Sequence, residues 1–225
     1  MNTKGLLVKP NWNHPEQYLK AGEMTQMEEN IVKVAEQIKG VSEDRIIRNI
    51  LLWMNENTER LHNVQDPKKF KRTASEILAS GQRTGCCDSS TLFTALARAK
   101  GIPAMQVLTW EKQWGDKVRN GERINSGQGH FFTACSLEEY QGTRKWKILD
   151  SDREIEDIRD FGYMRGSIED RNIGKNQYAF AYVNDFRDVL LGGMQIDSIE
   201  HMVAIQKIAC KQADRQDYHR EEKIY

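Results

Sequence analysis

The chain has 225 residues, 39% of them hydrophobic and 29% charged, the balance of an ordinary globular protein long enough to bury one sizeable core. Its 33 Lys+Arg offset 33 Asp+Glu, so no net field draws nucleic acid or an anionic membrane surface. A dedicated polyanion binder is not expected, although zero net charge leaves room for a local basic patch, and neither nucleic acid nor membrane is an expected partner.

No apolar run approaches the ~20 residues that cross a bilayer. The opening stretch MNTKGLLVKPNWNHPEQ has a single short apolar patch, which is not the pattern of a secretory signal. The expected location is the cytoplasm. Four cysteines, Cys86, Cys87, Cys135 and Cys210, do not make a disulfide framework in a chain of this size. Each is then core filler, metal ligand or nucleophile.

Residues 1–22, with Pro10 and Pro15, read as an irregular arm ahead of a single domain over 23–210. From Met24 the apolar positions Met27, Ile31, Val34 and Ile38 form a helical stripe that stops at Gly40. Ser42, followed by Glu43 and Asp44, is an N-cap with an acidic first turn. The helix it opens carries Ile46, Ile47, Ile50, Leu51 and Met54 and is expected to reach Leu61. Asn63 to Lys69 is a connecting loop, and Thr73 to Leu78 a short helix broken at Ser80-Gly81. A central helix begins near Cys86, with Leu92, Leu96 and Ala99 on one face and Gly101 as its stop before Pro103. Ala104 to Trp110 reads as a strand and Glu111 to Gly129 as a polar loop. Phe131 to Ser136, Trp146 to Leu149 and Tyr178 to Val183 are further strands. Ile199 to Cys210 is helical, and 211–225 is a charged tail. Helices first and hairpin-linked strands afterwards predict an α+β domain in which a helix packs on an antiparallel sheet.

Three residues could carry chemistry. Cys86 stands at the start of the central helix, where the dipole and unpaired backbone N–H groups favour a thiolate. Gly85 before it allows a tight turn. A small buried hydrophobe is the other reading of a free cysteine. Cys87 points roughly 100° away around the helix, so one cleft cannot serve both. His130 follows Gly127-Gln128-Gly129 and opens the strand HFFTACS, where one ring nitrogen can meet a thiol from another element. Asp150 closes the strand WKILD, where a carboxylate can take the other ring N–H and fix the tautomer. Taken alone, it reads equally as a turn residue. Together they stand in the order Cys–His–Asp of a nucleophilic triad.

The stretch TGCCDSSTLFTALARAKGIPA resembles the core signature of the transglutaminase-like superfamily, Gly-x-Cys-x-Asp/Glu, an apolar helix, then Arg-Ala-x-Gly-Ile-Pro-Ala. Matching Arg98, Gly101, Ile102, Pro103 and Ala104 puts the family cysteine on Cys86 and its acidic companion on Asp88. GHFFTAC resembles the block that carries the family histidine, placing it on His130, and WKILD the block that ends in the aspartate, placing it on Asp150. The resemblance spans roughly 46–183. It implies a papain-like transglutaminase core and a thiol hydrolase or acyltransferase that cleaves an amide bond through a thioester. It implies no cofactor, and a protein or peptide as substrate. Two features depart from the family pattern. Gly85 directly precedes Cys86, a shift that could nominate Cys87 were the spacing to Arg98 and Gly101 not against it. The usual His-Ala-Trp is His130-Phe131-Phe132. The small size of the chain favours hydrolysis over transfer, an expectation by analogy.

For an oxyanion the Cys86 backbone N–H is the donor with a physical reason. Gln82 is a nearby candidate, and Trp53 falls in a core stripe. Rival readings are a non-catalytic binding module on the same fold and a zinc site. The latter lacks CxxC or HxxxH spacing. Cys135 reads as core. The acidic run SDREIEDIRD lacks the central glycine of a calcium loop and reads as a solvated face. Trp110 and Trp114 either line a cleft or serve as core or loop-anchor residues.

Overall fold

A computed structural model describes residues 3–4, 6–7, 10–61, 68–124, 126–139, 141–165 and 171–213. The chain begins with β1 (Thr3–Lys4) and a 3-10 turn over Pro15–Leu19, then α1 (Glu29–Gln37) and α2 (Glu43–Asn57). β2 (Glu59–Arg60), α3 (Ala74–Ser80) and β3 (Gln82–Arg83) lead into the central helix α4 (Cys86–Ala99). β4 (Ala104–Glu111), α5 (Lys112–Arg119), β5 (Phe131–Glu138) and β6 (Arg144–Leu149) follow. The chain then forms β7 (Asn172–Ile173), β8 (Gln177–Val183), β9 (Leu190–Leu191), β10 (Met194–Gln195) and α6 (Ile199–Gln212). The architecture is α+β, as the sequence pattern predicts. The loop expected around Pro67 and most of the charged tail lie outside the described residues.

Local signals explain the helices. The Ser42 hydroxyl accepts the Arg45 N–H at 3.2 Å and starts α2. Thr73 and Glu76 form a reciprocal capping box on α3, and Gly81 closes it in the left-handed conformation at φ 65°. α2 stops at Asn57, short of the expected Leu61. Thr58 is extended and turns its hydroxyl back to the Met54 carbonyl at 2.6 Å. That frees Glu59–Arg60 to pair in parallel with Gln82–Arg83. α1 starts at Glu29, five residues later than the apolar stripe suggests. The backbone N–H groups of Met24 and Thr25 bond to Asp185 Oδ2 at 2.8 and 3.0 Å. This tertiary tie keeps the segment out of the helix.

Five strands form an antiparallel sheet in the order β6-β5-β4-β8-β7. α4 lies against it with every side chain from Cys87 to Arg98 buried. Ile31, Ile47, Ile50, Leu92, Phe93 and Leu96 pack between the helices and the sheet residues Cys135, Leu137 and Leu149. Along β5 the pleat alternates. Phe131, Cys135 and Leu137 face the helices, while Phe132 and Ala134 join Val107, Ala179 and Tyr182 on the far side. That second face is covered by the N-terminal arm. Tyr18 is buried there, and Trp12 packs edge-on to Trp146 and Tyr182. The arm is thus less irregular than expected, since β1 also pairs with β9 and Leu7 N–H reaches the Phe180 carbonyl at 2.7 Å.

Arg98 closes α4. Its guanidinium reaches the carbonyls of Ala104 and Asn184 at 2.7 and 2.6 Å and the Thr25 hydroxyl at 2.8 Å. Burial pulls its pKa down to about 10.

Among the α-helices, one was not expected. Within the predicted polar loop 111–129, Lys112–Arg119 is helical. Trp114 and Val118 lie one turn apart and bury themselves against α6, and Cys210 Sγ donates to the Gly115 carbonyl at 3.4 Å. Packing, not propensity, makes this helix. Trp110 and Trp114 are 0% and 2% exposed, so both are core residues.

Candidate active site

The antiparallel register brings two strand ends to one corner. Thr133 lies opposite Leu149, so the residues just before β5 and just after β6 must meet. These are His130 and Asp150. The first turn of α4 is fastened to the same corner, because Ser90 Oγ reaches the Phe132 carbonyl at 3.2 Å and Thr133 Oγ1 at 3.1 Å.

Cys86 is the first residue of α4, after Gly85 at φ 139°. Only glycine adopts that backbone readily. As the first helical residue, Cys86 has a backbone N–H without an intrahelical carbonyl. Asp88, 2% exposed, bonds back to the preceding turn through the Thr84 N–H at 2.7 Å and the Thr84 hydroxyl at 2.6 Å. Its second tie is a tight ion pair with the buried Arg72. Cys86 is half-buried and Cys87 is 2% exposed. Burial holds the Cys87 thiol well above its ordinary pKa, with the Asp88 charge adding to the effect. Of the adjacent pair, Cys86 alone stands beside His130.

His130 is held at both backbone atoms. Its N–H donates to Thr109 Oγ1 at 3.0 Å, and its carbonyl accepts the Thr109 N–H at 3.1 Å. Thr109 sits at the register shift between β4 and β8, the kind of irregularity that re-aims neighbouring groups. The approach to His130 requires glycine. A side chain at Gly129 would run into the Thr109 carbonyl and the Gln206 amide, and one at Gly127 into Gln206 and Val203. The Phe132 ring meets the imidazole edge-on at 4.6 Å.

The imidazole Nε2 and Asp150 Oδ1 are 2.7 Å apart, with side chains 22% and 28% exposed. Nδ1 is therefore the nitrogen left to face the Cys86 sulfur, which interacts with the ring. Burial works against a charged ring, but the Cys86 sulfur and Asp150 outweigh it and hold the His130 pKa well above its ordinary value. Burial likewise opposes the Asp150 charge, yet His130 and the Asp152 N–H keep that carboxyl below the usual range. The sequence-predicted residues Cys86, His130 and Asp150 thus meet in one place, two on strand ends and one on a helix start.

Other candidates lie elsewhere. Gln82 donates to Glu59 Oε2 at 3.2 Å across the β2–β3 pair. Trp53 packs beside the helical core. Cys135 is fully buried between α4 and the sheet, and burial raises its thiol pKa strongly. Among the described residues no cluster of His, Cys, Asp or Glu has the arrangement to hold a metal ion.

The expected solvated face SDREIEDIRD needs a correction at its start. Asp152 is 3% exposed. Its carboxylate accepts from Ser89 Oγ and from Arg60 Nη2, each at 2.6 Å. Arg83, 1% exposed, joins the same group through Ser89 Oγ at 3.1 Å and Thr58 Oγ1 at 2.7 Å. The partners of Asp152 lie 63 and 92 residues away in sequence, so no local pattern announces it.

A sulfur at a helix start, packed on an antiparallel sheet whose strand ends supply the imidazole and carboxylate, defines a papain-like transglutaminase core. The family model of the transglutaminase-like superfamily matches residues 32–151, more than half of the chain. The chain belongs to the transglutaminase-like superfamily. Among curated proteins none matches it. A crystal structure described as that of "a Putative Cysteine Protease from Cytophaga hutchinsonii" shares the fold, with a TM-score of 0.50 at 17% identity. The likeness covers 76% of this chain and 47% of that one, so the chain spans about half of its neighbour's length. No helix among the described residues is long and apolar enough to cross a membrane.

Proposed function

We propose that the protein is a thiol hydrolase acting on an amide bond of a protein or peptide, with Cys86 as nucleophile, His130 as acid–base and Asp150 as the group that orients the ring. The observation that carries this reading is the 2.7 Å contact of His130 Nε2 with Asp150, which commits Nδ1 to the sulfur.

The Cys86 thiolate adds to the amide carbonyl carbon, and the oxygen takes the negative charge beside the Cys86 N–H. The C–N bond then breaks, the His130 imidazolium gives its proton to the leaving amine, and a thioester remains on Cys86. Water adds to the thioester while His130 takes its proton. The C–S bond breaks, releasing the acid and restoring the thiolate–imidazolium pair. An amine in place of water gives acyl transfer. Water is favoured because the histidine and aspartate side chains keep part of their surface open to solvent. The neighbour described as a cysteine protease points the same way. All four thiols are unpaired, which suits the reducing cytoplasm.

The experiment is iodoacetamide alkylation across pH with each cysteine read by mass spectrometry. An ordinary thiol slows about tenfold for each pH unit below its pKa. The expected result is that Cys86 keeps its rate from pH 8 to pH 6 and His130→Ala restores the ordinary fall. Cys86 slowing tenfold per unit in the wild type would instead mark a non-catalytic binding module.

A further inference from the structure

The reaction above leaves unused a buried carboxylate two residues from Asp150. Burying a second anion beside the first is costly unless it is paired, and its bonds show where it is tied. The Asp152 backbone N–H donates to Asp150 Oδ1 at 3.0 Å, the same oxygen that meets His130 Nε2 at 2.7 Å. The side chain reaches the other way, to Ser89 Oγ at 2.6 Å. Ser89 is one turn along α4 from Cys86 and so lies on the same side of the helix. Between the two aspartates Ser151 is fully buried, and its hydroxyl accepts from Thr133 Oγ1 at 3.3 Å.

We propose that Asp152 is a positioning residue that fixes Asp150, and through it the His130 ring, at a set height relative to the Cys86 sulfur by bolting the 150–152 turn to α4 through Ser89. The inference rests on the reading of Cys86, His130 and Asp150 as a triad. Ser90 ties α4 to β5, whereas Ser89 ties it directly to the turn that carries Asp150.

Charge is arranged to permit this. The parallel register of β2 and β3 sets Arg60 opposite Arg83. Arg60 Nη2 meets Asp152 Oδ2 at 2.6 Å, and Arg83 donates to Ser89. The charged groups facing the turn are thus Arg60, Arg83, Glu154 at 3.7 Å from Arg60, His130 and the Cys86 sulfur. The two guanidiniums thus stand beside the turn that carries the two aspartates.

The test uses the full chain and needs no substrate. Ser89→Ala removes one hydroxyl and no charge, so a shift in His130 titration can reach the ring only through geometry. In Ser89→Ala and Asp152→Asn the Cys86 alkylation rate at pH 6 is expected to fall by about tenfold, the scale of a small misplacement in an active site. The His130 titration, followed by NMR, moves down toward the ordinary histidine value. For the His130 titration the double variant is expected to be no worse than Asp152→Asn alone, because both substitutions act on the shared Ser89–Asp152 contact. Folded variants that keep the wild-type alkylation profile and titration overturn the proposal. If Asp152→Asn does not fold, Ser89→Ala decides alone. A wild type in which Cys86 shows no acid-side reactivity is a different failure: it removes the triad, and this inference with it.

Discussion

Asp88 in the first turn of α4 and Asp152 just past β6 are both 2–3% exposed and both paired with an arginine and a hydroxyl. They differ in what they join. Asp88 ties α4 to the turn just before it, through Thr84 and the nearby Arg72, so it shapes the ground on which Cys86 sits. Asp152 ties α4 to the far end of β6, so it relates Cys86 to the partners of its imidazole. The arginines differ too, since the Arg72 side chain is 9% exposed and that of Arg60 27%. One bracket stabilises a local turn in a dry setting. The other aligns distant elements at a wetter edge.

The comparison is broken if stability and site geometry do not separate. Asp88→Ala strands the Arg72 guanidinium in the interior and is expected to cost about 3–5 kcal/mol, read from the urea midpoint. Asp152→Ala leaves Arg60 able to rehydrate and Arg83 still bonded to the Thr58 and Ser89 hydroxyls, and is expected to cost less, about 1–3 kcal/mol. The order reverses for His130, whose NMR titration responds to Asp152→Ala more than to Asp88→Ala. Equal titration shifts would mean that the two brackets do the same job.

A second prediction concerns the charge at the corner itself. Burial presses the His130 ring toward neutrality, and the Cys86 sulfur is one of the two groups that oppose it. Cys86→Ala therefore lowers the His130 pKa, and an unchanged NMR titration would refute the contact. The sign for stability follows. A raised histidine contributes stability that is fully present below its unfolded value and is lost as pH rises through the raised one. Asp150, held low, contributes stability present above the ordinary carboxylate value and lost as pH falls through its depressed one. The wild-type advantage over Asp150→Ala in urea is greatest between those limits and shrinks at both ends.

The smallest expected effect is a control. Ser42→Ala removes the α2 cap at a cost of about 1 kcal/mol and leaves the Cys86 alkylation profile as it is.

Legibility followed the range of the forces involved. The Ser42 cap, the apolar stripe of α2 and the Gly81 stop of α3 act over a few residues, and the sequence shows them. The meeting of Cys86, His130 and Asp150 was legible for another reason, the likeness of three ordered blocks to one family. α5 was not legible, because Lys112–Arg119 has only Trp114 and Val118 as an apolar face and gains its helix from α6. Met24 and Thr25 read as helix because their true partner, Asp185, is 160 or more residues away. Asp152 read as solvent-facing for the same reason, since a buried ion pair leaves no mark beside either partner.

The contact of Gln206 with the segment before His130 sets an order of events during synthesis. Gln206 Nε2 donates to the Thr109 carbonyl at 3.0 Å, and Gly127 and Gly129 pass close against its side chain. A ribosome has made Cys86, His130 and Asp150 long before it reaches residue 206. Until α6 emerges, the loop before His130 lacks the surface it packs on. The packing around His130 is therefore complete only once residue 206 has left the exit tunnel.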